Sequence, residues 1–265
     1  MIIVGELING TRPSVRAALE RRDADAIADL AVRQVEAGAD YLDCNAGAVG
    51  AQEVELMRWL VRTVGQAVGA PVCIDTASPA AMAAGLSEYA GDAPALVNSV
   101  SLEATRLDET LAVIEGAHVR VVALAMTDAG VPHDARGRVD ASLLLVDELV
   151  SRDVAVADIF VDPVVTPLSV DAAGPPAACE ALREIASACP ECHLICGLSN
   201  VSFGLPRRAL LNRAFLAQAV AAGLDSAILD PTDTELRATM YAAEALAGRD
   251  PWCARYLQAY RDGIL

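Results

Sequence analysis

The chain has 265 residues, of which 54% are hydrophobic and only 4% aromatic, a length and composition that suit one large core of alanine-rich helices packed closely on a sheet. Its formal net charge is −16 and all 20 of its cationic side chains are arginine. That balance argues against a nucleic-acid surface, and the lack of lysine removes Schiff-base chemistry and the P-loop from consideration.

Neither a basic stretch ahead of an apolar N-terminal run nor about twenty uninterrupted apolar residues occurs, so a cytoplasmic protein with no export signal and no membrane span is expected. Along the chain, short β-type runs alternate with longer helical patterns. The expected strands are residues 2–8, 41–45, 71–76, 95–100, 119–126, 159–165, 193–199 and 226–230. Between them apolar residues recur at three- and four-residue intervals, as in Ile27, Leu30, Ala31 and Val35, or Met57, Leu60, Val61, Val64 and Val68, which is helical spacing. Gly38, Gly69 and Gly223 mark helix ends, while Ser78-Pro79 and Thr232 with Glu235 mark helix starts by capping and by proline in the first turn. Eight such alternations imply an α/β fold, a (β/α)8 TIM barrel formed by residues 1–265 as one domain; a doubly wound open sheet is the alternative.

A barrel places its chemistry at the carboxyl ends of its strands, and polar residues collect at those points. They are Glu6 and Asn9, Asp43 and Asn45, Asp75, Asn98 and Ser99, Thr127 and Asp128, Asp162, Ser199 and Asn200, and Asp230, one group per strand. Each alone can be a helix cap or a turn residue; eight together define a rim. Carboxylates accept hydrogen bonds and asparagine both donates and accepts, so the rim suits a flat heterocycle with amino and ring N–H donors, or a carbohydrate, better than a phosphate.

The segment from Gly197 to Arg208 turns the seventh strand into a polar loop, in which Asn200 and Ser199 can face a ligand and Arg207 or Arg208 can meet an anionic tail. The alternative is that Asn200 or Ser202 only caps the next helix and the arginines are its solvated first turn. His133 is the one histidine whose loop could reach the mouth, and no Ser/His/Asp or Cys/His pairing is visible. Most of the seven cysteines lie in apolar runs and are expected as reduced core residues. Cys189, Cys192, His193 and Cys196 have zinc-like spacing, but strand alternation from His193 onward turns successive side chains to opposite faces, so no bound metal is expected.

Six segments together, Ile3 to Gly10, Leu42 to Gly47, Cys73 to Thr76, Val97 to Ser99, Phe160 to Pro163 and Gly197 to Arg208, make the chain resemble the pterin-binding methyltransferases along almost its whole length. Within that family it resembles enzymes acting between methyltetrahydrofolate and a corrinoid/iron-sulfur protein, and the folate domain of cobalamin-dependent methionine synthases. The resemblance implies a usually homodimeric pterin-binding barrel with methyltetrahydrofolate or tetrahydrofolate in its mouth and a cobalamin or other corrinoid carried by a separate partner protein. It matches Asp75, Asn98 and Asp162 to the positions that bind the pyrimidinone edge of the pterin, and Asn200 to the asparagine near N5, with Asn200, Asp75 and Asp162 as the catalytic set. Glu6, Asn9, Asp43, Asn45, Gly197 and Ser199 match further contact positions, and Arg208 the position facing the aminobenzoyl-glutamate tail. Thr76-Ala77 and Ser99-Val100 depart from the Ser-Thr pairs expected after Asp75 and Asn98. Two alternatives accompany this reading. One is an enzyme like dihydropteroate synthase, which needs cations against pyrophosphate; the other is a module that binds folate or a corrinoid protein without turnover.

Overall fold

The computed structural model describes residues 1–265 apart from the side chains of Val49 and Ala51. In chain order the elements are β1 (Ile2–Gly5), α1 (Pro13–Arg21), α2 (Ala24–Glu36), β2 (Tyr41–Cys44), α3 (Glu53–Ala67), β3 (Val72–Asp75), α4 (Pro79–Glu88), β4 (Ala95–Leu102) and α5 (Ala104–Ile114). They continue with β5 (Val119–Thr127), α6 (Ala135–Ser151), β6 (Ile159–Asp162), α7 (Gly174–Ala188), β7 (His193–Leu194), α8 (Arg208–Ala221), β8 (Ser226–Leu229), α9 (Thr234–Leu246) and α10 (Ala254–Arg261). All strand pairs are parallel, in the order β7-β6-β5-β4-β3-β2-β1-β8. A bridge between Gly197 and Ile228, with Ile228 N–H donating 2.9 Å to Cys196 O, joins the two ends into a closed barrel.

The helices form where amphipathic spacing and caps coincide. On α3 the expected stripe is buried at Met57, Leu60, Val61 and Val64, each such side chain contributing roughly 1.5–3 kcal/mol on leaving water. Ser78 caps α4 by accepting from Ala81 N–H at 3.2 Å, with Pro79 in the first turn. The start of α9 differs from expectation: Asp233 caps it through Leu236 N–H at 3.0 Å, while Thr232 Oγ1 donates to Asp230 Oδ1 at 2.6 Å. A carboxylate in reach of the N–H groups of the first turn replaces the anticipated threonine cap. Three strands stop three or more residues short of the expected ends, at Gly5, Asp162 and Leu194, and three others one residue short. The apolar residues beyond them, such as Ile8 and Val165, are buried in loops that fold back onto the core. Between β1 and α2 the buried Gln34 accepts Leu7 N–H at 2.9 Å through Oε1, and a Cβ at Gly5 would meet that oxygen at 2.4 Å, so glycine is required where the helix amide ties down the first loop.

The interior of the barrel sets the register of its mouth. Val4, Tyr41, Cys73, Leu96, Val122, Phe160 and Ile195, one from each of seven successive strand positions, form a lumen cluster, with Ile228 of β8 packed against it. Side chains two residues apart on a strand share a face, so the next inward layer consists of Glu6, Asp43, Asp75, Asn98, Leu124, Asp162, Gly197 and Asp230. Apolar residues fill the lower layer and polar ones dominate the upper. All eight upper-layer residues line one cavity of about 830 Å³ at the mouth.

Candidate functional site

The mouth cavity is also lined by Asn9, Thr11, Arg12, Ser199, Asn200, Phe203, Arg208 and Asn212. Of the expected contact residues only Asn45 stands outside this lining. Its Nδ2 donates to Asp75 Oδ2 at 2.8 Å and its Oδ1 accepts Gly47 N–H at 3.0 Å, so it stands beside Asp75 and orients it. The polar pair expected after the fifth strand is a correction: Thr127 Oγ1 donates to Gly130 O at 3.2 Å and Asp128 accepts Ala104 N–H at 3.1 Å. Both close turns, and Leu124 takes the fifth place in the ring. Ser99 is buried outside the lining, and Thr76 is buried with its hydroxyl bonded to Glu53. His133 is exposed and lies away from the cavity, which no histidine lines among the described residues.

Packing several carboxyls together over an apolar lumen raises their proton affinity, because desolvation and like charge both disfavour the anion. Burial pushes the Asp162 carboxyl up to about 7, opposed by backbone N–H groups of Val164 and Gly197 and by the Arg138 charge. Burial likewise pushes Asp75 up to about 6, with the Asn45 hydrogen bond opposing it and Glu53 adding to it. Asp43 is held well above the usual carboxylate range by burial and by Asp75, and its Oδ1 is buried without a hydrogen-bond partner among the described residues. Burial raises Glu6 as well, although Ser199 Oγ donates to it at 2.9 Å and Arg12 Nη2 at 2.9 Å. Glu6 thereby links the first loop to the seventh. A buried acceptor with an open lone pair beside two carboxyls and Asn98 fits a ligand edge of N–H donors.

The seventh loop supplies a different kind of group. Residues Leu198–Ser202 form a short 3-10 turn that folds the Asn200 side chain back over Gly197, where an added Cβ would lie 2.8 Å from Asn200 Nδ2. Glycine at 197 leaves the space the amide occupies. The exposed Asn200 side chain makes no hydrogen bond within the chain among the described residues, so its amide is free to present either donor or acceptor to a ligand. Arg208 lines the cavity with part of its fork already engaged: Nη2 donates to Ser199 O at 2.7 Å and Nε to Ser202 Oγ at 3.0 Å. It braces the loop, and its guanidinium carbon lies 6.0 Å from the ring centre of exposed Phe203.

The cysteine and histidine cluster does not converge. Cys189 and Cys192 are joined as a disulfide, a pairing that was not expected, while the other five cysteines are free. Cys196 is buried in the core, and His193 Nδ1 sits 2.7 Å from Asp225 Oδ2 with its ring stacked on Phe160. Among the described residues no helix is long and apolar enough to cross a membrane.

An eight-stranded parallel barrel with carboxylates and amides ringing its mouth defines a class that family comparison identifies directly: the chain belongs to the pterin binding enzymes, whose model matches residues 5–230. Among individual proteins it is similar to the methylcorrinoid:tetrahydrofolate methyltransferase of Eubacterium limosum, 37% identical over 268 residues that cover 99% of this chain and 97% of the relative. It is 28% identical to methionine synthase of Mycobacterium tuberculosis over 242 residues, 86% of this chain and 20% of that much longer protein. Solved structures of dihydropteroate synthases share the fold. That of Xanthomonas albilineans superposes with a TM-score of 0.68 at 19% identity, covering 93% of this chain and 92% of the other. That of Yersinia pestis gives 0.67 at 16%, covering 93% of each chain.

Proposed function

We propose that this chain is a methyltransferase that moves a methyl group between N5 of tetrahydrofolate and the cobalt of a corrinoid carried by a separate protein. The observation that carries the reading is the likeness to the Eubacterium limosum methyltransferase, which runs through nearly the full length of both chains. The cavity chemistry supports it. Asp75, Asn98 and Asp162 take the pyrimidinone edge of the pterin, the carboxylates accepting its N–H donors. Asp43 adds an open acceptor beside them, and Arg208 and Phe203 flank the aminobenzoyl tail. The corrinoid supplies a metal centre able to accept or release the methyl group. Homodimeric assembly and cytoplasmic residence belong to the same reading and rest on likeness to the family.

The chemical demand on the protein falls at N5. Leaving the methyl group, N5 develops negative charge unless a donor meets it; receiving the methyl group, it must keep its lone pair aimed at the incoming carbon. A group that stabilises the charge change only in the transition state accelerates the reaction. Asn200 fills this role, donating through its amide N–H or accepting through its carbonyl by a turn of one torsion. For the physiological direction we take transfer from the methylated corrinoid to tetrahydrofolate, as the name of the Eubacterium limosum relative states for that protein.

Anaerobic methyl exchange tests the reading: methyltetrahydrofolate and cob(I)alamin are mixed with the protein and the cobalt absorbance is followed. Formation of methylcobalamin, reversed by added tetrahydrofolate, is the expected result; folate binding with no exchange, on free cobalamin or on a corrinoid protein, marks a binding module and overturns it. A Gly197→Ala substitution is expected to fold normally and to lower exchange turnover by about 10²-fold, because the new methyl displaces the Asn200 amide that now lies 2.8 Å from its place. Wild-type turnover in that variant refutes the assignment of the glycine.

A further inference from the structure

Arg138 on α6 is the largest side chain withdrawn from solvent among the described residues, at 1% exposure. It faces no carboxylate at ion-pair distance there. Its fork is spent on loop acceptors: Nε donates to Pro132 O at 3.0 Å, Nη2 to Thr166 Oγ1 at 3.0 Å, and Nη1 to Val164 O and, at 3.4 Å, to Pro163 O. Burying a guanidinium costs several kcal/mol unless every donor finds a partner, and an aliphatic side chain would serve the helix-to-sheet packing at no such cost. Both terminal nitrogens of the fork are spent on one loop, that between β6 and α7.

That loop holds a second anomaly. Val164 has φ +63°, a left-handed conformation that a β-branched residue strongly disfavours. The turn has two consequences. Val164 N–H points back to Asp162 Oδ1 at 2.7 Å, and Val164 C=O points to Arg138. Thr166, the far end of the clamp, is fixed in turn by the start of α7, where a Cβ at Gly174 would lie 2.8 Å from Thr166 Cβ.

We propose that Arg138 is a positioning residue for pterin binding: its guanidinium holds the β6 loop with Val164 in the left-handed conformation, so that the Val164 N–H fixes the Asp162 carboxyl in the orientation that receives the pterin. The inference rests on the folate reading of the cavity. Arg138 never touches the ligand; it acts two links away, through Val164 and then Asp162. A lysine in its place keeps the charge but cannot span acceptors on Pro132, Val164 and Thr166 at once.

The test compares Arg138→Met and Arg138→Lys, each alone and with Val164→Gly added, in the full chain. Tetrahydrofolate dissociation constants, the KM and kcat of methyl exchange, and thermal midpoints are measured. Wild-type protein that binds no tetrahydrofolate overturns the folate reading and this inference with it. With wild-type binding in place, each single variant is expected to raise Kd and KM at least tenfold with kcat reduced less than threefold. Adding Val164→Gly is expected to recover at least fivefold of the lost affinity, because glycine adopts the left-handed conformation without a clamp. A structural role alone lowers the thermal midpoint and gains nothing from the glycine. Unchanged Kd in the folded single variants, or a loss that Val164→Gly does not reduce, refutes the proposal, and Arg138→Lys carries the test if Arg138→Met does not fold.

Discussion

Asn200→Ala is expected to lower the turnover of methyl exchange about 10²–10³-fold, the loss typical of removing one preorganised hydrogen-bonding group aimed at developing charge. Affinity for tetrahydrofolate is expected to change far less, because the Asn200 side chain is exposed while the proposed function assigns pterin binding to the buried carboxyls. The two directions of exchange pass through one transition state, so kcat/KM falls by the same factor in both. Initial rates at subsaturating substrate, run from methyltetrahydrofolate and from methylcobalamin, read this factor, and single-turnover absorbance measurements at saturating folate read the rate of the methyl-transfer step itself. A variant that loses affinity and keeps its saturated rate removes Asn200 from the transition state and leaves the N5 chemistry to another group. Since no histidine lines the cavity among the described residues, the remaining candidates there are the carboxyls of the ring, the hydroxyls, amides and guanidinium groups of the lining, such as Ser199, Asn98 and Arg208, and a water.

How far the site was legible before the fold was known depends on which signal each residue sends. Asp75, Asn98 and Asp162 each follow an apolar run at once, and the structure places all three in the lining of the mouth. Alternation along a strand carries such residues inward without any knowledge of tertiary contacts. The same alternation, counted from Val122, leads first to Leu124 and turns Thr127 to the other face, while Asp128 lies past the end of the strand, where it accepts Ala104 N–H. The error came from taking the end of the apolar run as the mouth, whereas β5 runs three residues past its inward Leu124 to Thr127. Strand ends misled in the opposite sense at Ile8 and Val165, where hydrophobicity reported burial in a loop and not extended pairing. Arg138 sent no signal at all. Its acceptors at Pro163, Val164 and Thr166 lie 25 to 28 residues away in sequence, and an arginine on a helix reads as a solvated side chain until the loops that cover it are in place. Adjacency of Asn45 to the mouth is visible in sequence, while its hydrogen bond to Asp75 is visible only in the fold.

Replacing Asp162 by asparagine is expected to flatten the pH dependence of stability while weakening folate binding. The folded-state carboxyl titrates at about 7 against a reference near 3.8, so the folded protein holds a proton that the unfolded chain releases at lower pH. Stability contributed by the protonated form is fully present below 3.8 and is lost as pH rises through 7. A difference of this size corresponds to roughly 4 kcal/mol as an upper limit for Asp162. Asp75, raised to about 6, adds a loss of the same sign that is complete near 6. Asp225 and Asp250 are shifted downward and act with the opposite sign, but they titrate below 3.8 and leave the interval from pH 5 to 8 untouched. Urea unfolding of the ligand-free protein is therefore expected to show lower stability at pH 8 than at pH 5, with a smaller difference in Asp162→Asn. Folate affinity runs the other way. Pterin N–H donors favour the ionised carboxylate, so wild-type affinity rises with pH up to about 7, and the variant loses both that rise and about 1.5–3 kcal/mol of binding at pH 8. Parallel stability curves for the two proteins between pH 5 and 8 would falsify the assignment of the raised carboxyl. If the curves diverge as expected, an acid that lowers the stability of the ligand-free protein at neutral pH is also one that favours binding, and folate should stabilise the wild type more at pH 8 than at pH 6.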